Sequence, residues 1–297
     1  MSTSVDPILT EPETQSTRRQ RRLPVVVSLC SAWLVLVLIT AIGADLIAPY
    51  GYAEQSLLNR LKPPAFLGGD PAYVLGTDGL GRDVFSRLLY ALRTSVLIAF
   101  CGTLIGSVIG TMLGFLAAHF RGWVDEIVML LVDFQASMPF LIIALAILAF
   151  FGNSFELFLI VVGFYGWEVY ARLTRGLVLQ ANAQGYAFAV RTLGVHPFRI
   201  YVRHVLPNIL SVLVVQVTLN FPELILLETS LSFLGLGVQP PETSLGLMLG
   251  EGRNYIATAW WMAIPAGVVI FLTTLSVSLL GDWLRDRLDP TLRDADQ

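Results

Sequence analysis

The chain has 297 residues, of which 55% are hydrophobic and 14% charged, with a formal net charge of −3 at pH 7 and a mean hydropathy of +0.69. Soluble domains carry about 25% charged residues, and they do not gather their apolar residues into blocks long enough to cross a bilayer. The composition therefore excludes a soluble globular protein and predicts an all-α membrane protein with several spans.

The N-terminal region divides into a polar tail and a first span. Residues 1–23 contain no aromatic side chain and close with the basic run Arg18-Arg-Gln-Arg-Arg22, which predicts a disordered tail with a basic anchor. Residues 24–48 form an apolar run that is too long for the core of a signal peptide. They predict an uncleaved first transmembrane helix.

Five further apolar runs, each close to the ~20 residues that a helix needs to cross the hydrocarbon core, follow in the chain. They lie near residues 94–118, 127–151, 155–173, 206–227 and 261–280. Together with the first run they predict six transmembrane helices, five of them in a core domain of residues 94–285. The run at 155–173 is the least regular, because two glycines and Glu168 interrupt it.

The basic residues predict the orientation of these spans. With the N-terminus in the cytoplasm, 13 of the 19 lysine and arginine residues fall in cytoplasmic segments and the other six fall outside. Both termini are therefore predicted to be cytoplasmic, including a tail at residues 286–297. The same orientation places the loop at residues 174–205 in the cytoplasm and residues 49–93 on the outer side.

Two outer segments are long enough to carry structure. The first, residues 49–93, ends with Val84, Leu88 and Ala91 at helical spacing, which predicts an interfacial amphipathic helix that leads into the second span. The second, residues 235–260, is rich in glycine and proline and predicts a constrained loop over the outer mouth.

The cytoplasmic loop at 174–205 is the most informative segment. Its residues 186–193 are predicted to form two turns of helix that Gly194 ends, with a second short helix after Pro197. Pro207 then opens the fifth span, where proline is least costly. A short helix parallel to the membrane would suit a soluble partner, and the alternative is an ordinary connecting loop.

The chain lacks the residues for nucleotide hydrolysis and for a metal site. Its single lysine, Lys62, precedes a proline, whereas a P-loop needs a lysine between glycine and serine or threonine. This excludes a P-loop ATPase, so any ATP hydrolysis must come from another subunit. The three histidines and two cysteines also lack the spacing of metal ligands.

Four acidic residues in or near the spans are candidates for function, because a charge at this depth is costly unless it is paired or hydrated. They are Asp133, Glu168, Glu223 and Glu228. Asp133 and Glu228 either line a translocation path or lock helices around it. The alternative is that these acids cap helix ends or pair with nearby arginines, as Glu168 could with Arg172 four residues later.

The loop resembles a motif of bacterial ABC import permeases, called the EAA loop. Aligned on Gly194, the chain matches that motif at Ala189, Leu206 and Pro207 with the family's spacing, whereas Phe188 stands at the glutamate position and Val190 at the second alanine. In that family the loop carries a coupling helix that docks on the ATP-binding subunit. The resemblance implies that docking here uses Tyr186, Ala187, Phe188, Ala189, Val190, Arg191, Leu193, Gly194, Leu206 and Pro207.

Further motifs resemble dipeptide and oligopeptide permeases of the OppC/DppC type. They are the segments that begin at Leu75, Glu228 and Gly281, together with Asp125, Asp133 and Pro139 around the third span. The resemblance implies a translocation path or gate at Asp133, Pro139 and Glu228. It also places Asp78, Arg82 and Asp83 near the outer gate or a binding-protein contact, although these charges could equally pair with one another and pin the segment.

The resemblance implies the fold and function of a type I ABC importer transmembrane domain, a non-catalytic subunit in the bacterial cytoplasmic (inner) membrane. It would move di- and oligopeptides by alternating access, and it would bind no cofactor and no nucleic acid, since its partners use ATP and Mg²⁺. Those partners would be a homologous second permease in a heterodimer, two ABC ATPase subunits, an extracytoplasmic solute-binding protein and membrane lipid. The alternatives are a related permease for nickel, glutathione or opines, or a freestanding secondary carrier or channel.

Overall fold

The computed structural model describes residues 25–183, 199 and 201–288, and these residues fold into α-helices and short helical turns without a named strand. The α-helices within these ranges are α1 Val25–Ile47, α2 Val84–Phe120, α3 Gly122–Ser137, α4 Phe140–Phe151, α5 Phe155–Gly163, α6 Trp167–Ala183, α7 Leu206–Phe233, α8 Leu245–Gly252 and α9 Ile264–Leu288. A π-helical turn at Tyr201–Val205 leads into α7.

Five helical segments are long and apolar enough to cross a membrane, and the bent pair of α3 and α4 brings the number to six. The predicted six-span architecture is therefore confirmed, but the third span is not the single helix that we expected. It bends by 89° between Ser137 and Phe140. Pro139 explains the break, because the residue before a proline avoids the helical region, and Met138 is extended with φ −111° and ψ 137°.

The helix predicted to lie on the membrane surface before the second span is not a separate element. α2 runs without a break for 37 residues from Val84 to Phe120, which is longer than the ~20 residues needed for the hydrocarbon core. Asp83 caps its start by accepting a hydrogen bond from the backbone N–H of Ser86 at 2.8 Å. Because no breaker follows, the amphipathic turns and the second span form one continuous helix.

A stripe of four glycines brings α2 unusually close to its neighbours. Gly102, Gly106, Gly110 and Gly114 recur every four residues on one face of the helix. A methyl group placed on Gly106 would lie 2.7 Å from the carbonyl oxygen of Tyr165, and one on Gly114 would lie 2.6 Å from that of Ala171. Small residues at this spacing let two membrane helices pack backbone against backbone.

The bundle has two ends, which we name by what they carry. The cap comprises residues 48–83 and 234–262. A hydrogen bond joins these two segments, because the indole N–H of Trp261 donates to the backbone carbonyl of Thr77 at 3.1 Å. The loop end carries the end of α2, the start of α3, the end of α6 and the start of α7. The polar side chains that bear on function lie at the cap, at the loop end and on one face between them.

Candidate translocation surface and coupling region

A group of polar side chains lies on one face of the bundle within the spans. We call it the polar face, and its members are Asp133 and Gln135 of α3, Tyr165 between α5 and α6, Glu168 and Arg172 of α6, and Glu223 of α7. Arg172 pairs with Asp133 at 2.9 Å, and the two side chains remain 57% and 71% exposed. Both charges therefore point away from the packed core of the described chain.

The pairing on this face differs from the one that the sequence favoured. We expected Glu168 to pair with Arg172 one helical turn later, but Arg172 contacts Asp133 of α3. The carboxylate of Glu168 instead accepts a hydrogen bond from the side-chain amide of Gln135 at 2.8 Å. The reason is geometric, since α3 lies directly alongside α6 and offers partners across the helix pair.

Two helix breaks lie near the polar face, and Gln135, in the last turn of α3 before the first break, contacts the second break through its side chain. The amide of Gln135 donates to the carbonyl of Phe164, which lies in the break between α5 and α6, at 3.1 Å. Its side-chain oxygen accepts from the indole N–H of Trp167 at 2.6 Å. Pro139, at the other break, is exposed. Within a membrane, backbone of this kind is tolerated only where it is buried in protein or lines a water-filled cavity.

The exposed charges lead to the same conclusion as the interrupted backbone, namely that this face does not contact lipid. An ionisable side chain that faces lipid in the hydrocarbon core costs about 2.5–3.5 kcal/mol or more, and three charged side chains of the polar face, Asp133, Arg172 and Glu223, are exposed. Tyr165 donates from its hydroxyl to Glu223 at 3.2 Å, and the carboxylate of Glu223 is exposed. This face is therefore suited to water, to solute or to another protein chain rather than to lipid.

Glu228, in contrast, lies inside the helix packing. It is 0% exposed and accepts hydrogen bonds from the hydroxyl of Ser95 at 2.9 Å and from that of Ser232 at 2.7 Å. Ser95 in turn accepts from the backbone N–H of Leu245 at 3.1 Å. These bonds join α2, α7 and the start of α8, which favours the helix-locking alternative for Glu228 over direct contact with a solute.

The predicted cluster of Asp78, Arg82 and Asp83 proves to be part of a buried ion network in the cap. Asp78 contacts Arg82 and Arg87 at 2.6 Å each, with its own side chain 2% exposed. Glu251 of α8 binds the same two arginines, at 3.1 and 2.7 Å. Asp83 caps α2 instead. The network thus fastens the first outer segment to α8. Sequence analysis did not identify Glu251 as a member, because nothing in the local sequence of Glu251 indicates a partner about 170 residues away.

The base of the cytoplasmic loop is a packed apolar cluster at the loop end. Val178 and Ala181 of α6 lie with Ala118 of α2 against Tyr201 and Val205 of the π-helical turn, and all five are buried. Leu206 packs against this cluster, and Pro207 lies in the first turn of α7, as predicted. Arg175 further ties α6 to the start of α3 through Asp125, with Nη2 to Oδ2 at 2.6 Å.

The segment that would dock on a partner lies outside the described residues. It comprises the predicted contacts Tyr186, Ala187, Phe188, Ala189, Val190, Arg191, Leu193 and Gly194. Both ends of this loop are held in one apolar cluster on α2 and α6, so a displacement of the loop would be transmitted to those helices. Its docking role stays a prediction.

Comparison with known proteins identifies the family. Residues 106–294 match the family described as "Binding-protein-dependent transport system inner membrane component". The di/tripeptide transport system permease protein DppC of Pseudomonas aeruginosa is 39% identical over 264 residues, covering 89% of this chain and 87% of that protein. The dipeptide permease DppC of Escherichia coli K12 is 40% identical over 88% of this chain and 87% of its own length.

Two other relatives widen the comparison. The glutathione transport system permease protein GsiD of Pectobacterium atrosepticum is 37% identical over 90% of this chain and 88% of its own length. An inward-facing structure of the MetNI methionine ABC transporter superposes with a TM-score of 0.56 at 19% identity, covering 68% of this chain and 96% of that one, which supports the shared fold. This chain belongs to the family of binding-protein-dependent transport system inner membrane components and is a permease component of an ABC importer.

Proposed function

We propose that this chain carries di- and oligopeptides across the cytoplasmic membrane by alternating access. The single observation that carries the proposal is the polar face, where exposed charges lie on membrane-length segments that are interrupted between α3 and α4 and between α5 and α6. The face holds carboxylates of Asp133, Glu168 and Glu223 together with the guanidinium of Arg172. Charges of both signs suit a zwitterionic solute that has an ammonium group at one end and a carboxylate at the other.

The proposed partners supply the second wall of the path, the hydrolysis of ATP and the delivery of solute. A homologous second permease would cover the polar face and form the other wall of the path. Two ABC ATPase subunits would engage the loop at 184–200 and hydrolyse ATP with Mg²⁺, so this chain would bind no cofactor and catalyse no reaction itself. A solute-binding protein would dock on the cap. The excess of arginine on the loop side supports cytoplasmic termini and a cytoplasmic loop.

Glutathione is the second candidate solute, because one of the close relatives is a glutathione permease. It is a peptide that carries an additional carboxylate, and it would meet the same set of charges. Competition between the two solutes distinguishes them. Saturable uptake of a labelled dipeptide that excess glutathione leaves unchanged would support a peptide importer, whereas the reverse pattern would support a glutathione importer.

The experiment is uptake into proteoliposomes that contain the whole complex, with and without enclosed ATP. We expect ATP-dependent uptake of labelled dialanine, and we expect Glu223→Gln to lower its initial rate about tenfold, since a charge-assisted hydrogen bond contributes about 1.5–3 kcal/mol. Asp286→Asn, an exposed acid in the last turn of α9, is the matched control. Uptake without ATP would instead indicate a secondary carrier or channel, and equal rates for the two variants would remove the polar face from the path.

A further inference from the structure

A cavity of about 510 Å³ opens at the cap end of the bundle, away from the polar face. It lies where the end of α1, the early turns of α2, the start of α5 and the chain after α7 come together. The residues that give it chemical character are Asp45, Tyr52, Tyr90, Arg93, Glu156 and Glu242. The cavity is not part of the translocation path proposed above.

The charges of this cavity fit a ligand with two opposite charges. Three carboxylates and one guanidinium line it, which leaves two negative charges in excess. Arg93 binds Asp45 through Nη1 at 2.8 Å, and the two side chains stay 44% and 64% exposed. A guanidinium carries five N–H donors in a fork that suits phosphate. Arg93 can therefore hold an anion at one side of the cavity while the carboxylates of Glu156 and Glu242 attract a cation.

Two aromatic rings add to the attraction for a cation. Tyr52 and Tyr90 pack with their ring centroids 5.1 Å apart at an angle of 57°, and both line the cavity. The face of a tyrosine ring attracts an ammonium group, by about 0.5–1 kcal/mol at exposed sites. Tyrosine is also enriched at the level of lipid headgroups, and these two tyrosines lie near the ends of membrane-length helices, Tyr52 shortly after α1 and Tyr90 in the second turn of α2.

The surroundings of the cavity favour a lipid over a water-soluble zwitterion. Leu97 and Phe155 line its wall and are 48% and 41% exposed. On α1, the neighbouring Ile42 and Leu46 are 81% and 92% exposed. Apolar side chains therefore line part of the cavity itself, and further exposed apolar side chains flank Asp45 on α1. A ligand that carries acyl chains below a zwitterionic headgroup would satisfy both parts.

We propose that this cavity binds the headgroup of a primary-amine phospholipid from the leaflet on the cap side. Arg93 contacts the phosphate, while Glu156, Glu242 and the two tyrosine rings contact the ammonium. The site goes beyond the transport function, because a bound lipid would contact α1, α2 and α5 and stabilise their relative positions. Its occupancy can be measured without transport.

The test uses the purified whole complex in detergent and dihexanoyl phosphatidylethanolamine as the probe. We expect this lipid to raise the thermal midpoint in a saturable manner. The phosphatidylcholine analogue lacks ammonium N–H donors and the phosphatidylglycerol analogue lacks the cation, so each should need at least tenfold more lipid for half-saturation. The single variant Arg93→Gln should raise the half-saturating concentration of the ethanolamine lipid about tenfold, the change expected for losing one charge-assisted contact. The double variant Glu156→Gln, Glu242→Gln loses two such contacts and should raise it by at least as much.

Glu126→Gln, at an exposed acid of the loop end, is the control. Its thermal midpoint should depend on the concentration of the ethanolamine lipid as that of the wild type does. The proposal is overturned if the three lipids raise the thermal midpoint with the same half-saturating concentration. It is also overturned if the cavity variants have the half-saturating concentration of the wild type. It is also overturned if dialanine saturates the complex with the same dependence on Glu156 and Glu242 and competes with the lipid, because the cavity would then belong to the transported solute.

Discussion

Replacing Asp78 with asparagine is expected to destabilise the cap by about 3 kcal/mol, since removing one partner of a buried ion pair leaves the other charges uncompensated. The carboxylate of Asp78 is 2% exposed and lies 2.6 Å from both Arg82 and Arg87. Without its charge, Glu251 alone faces two arginines that are 7% and 3% exposed. The thermal midpoint of the purified complex should fall by several degrees, because 1 kcal/mol shifts it by about 2–4 °C for 150–250 residues and by less for a larger assembly.

Asp70→Asn supplies the matched control for this prediction. Asp70 also forms a salt bridge in the cap, with Lys62 at 3.0 Å, but the two side chains are 39% and 33% exposed. The backbone N–H of Ala72 and the ammonium of Lys62 hold the pKa of Asp70 below its ordinary value. Exposed pairs contribute little to stability, so this variant should hardly move the midpoint. Equal effects of the two substitutions would show that burial does not distinguish the two pairs.

Gly110→Ala is the second change with a large expected effect. An added methyl group would lie 2.6 Å from Cβ of Tyr170 and even closer to the carbonyl oxygen of Trp167. Because the nearest atoms belong to the backbone of α6, the two helices must separate, and overpacking of this kind costs about 1–3 kcal/mol or more. We expect a lower thermal midpoint and a smaller yield of assembled complex by size-exclusion chromatography.

Gly176→Ala on α6 separates this packing effect from helix propensity. Gly176 is exposed, and an added methyl group would meet no atom within 4 Å in the part of the chain that the structure describes. In a helix interior, alanine is favoured over glycine by about 1 kcal/mol. The control should therefore be neutral or slightly more stable, opposite in sign to Gly110→Ala. If both substitutions stabilise the complex, the glycine stripe is not a packing surface.

The positions of the spans could be predicted because they depend on local sequence. A run of about 20 apolar residues has few alternatives to a membrane helix, and residues 24–48 correspond closely to α1 at Val25–Ile47. The sequence also indicated an irregular fourth span, but it did not predict the bend in the third. Pro139 gave a local signal for the bend in the third span, whereas the fourth is interrupted at Gly166, which has a φ of +78°.

The partners of the charged residues could not be predicted in the same way. Whether Arg172 reaches Glu168 or Asp133 depends on how α3 and α6 are rotated against each other, and the sequence of one helix does not contain that information. Gln135 carried no motif, yet it connects the last turn of α3 to the break between α5 and α6. The glycine stripe did have a signal, a spacing of four residues from Gly102 to Gly114, which membrane helix pairs use for close packing.

The measurement that tests our account most directly is ATP-driven uptake of labelled dialanine by the whole complex after deletion of residues 186–196. The account holds that this loop transmits the partner's ATP hydrolysis to α2, α6 and α7 through the apolar cluster at its base. It predicts that the deleted protein still inserts in the membrane but shows no ATP-dependent uptake and no stimulation of ATP hydrolysis by solute. Uptake at the wild-type rate would contradict the account.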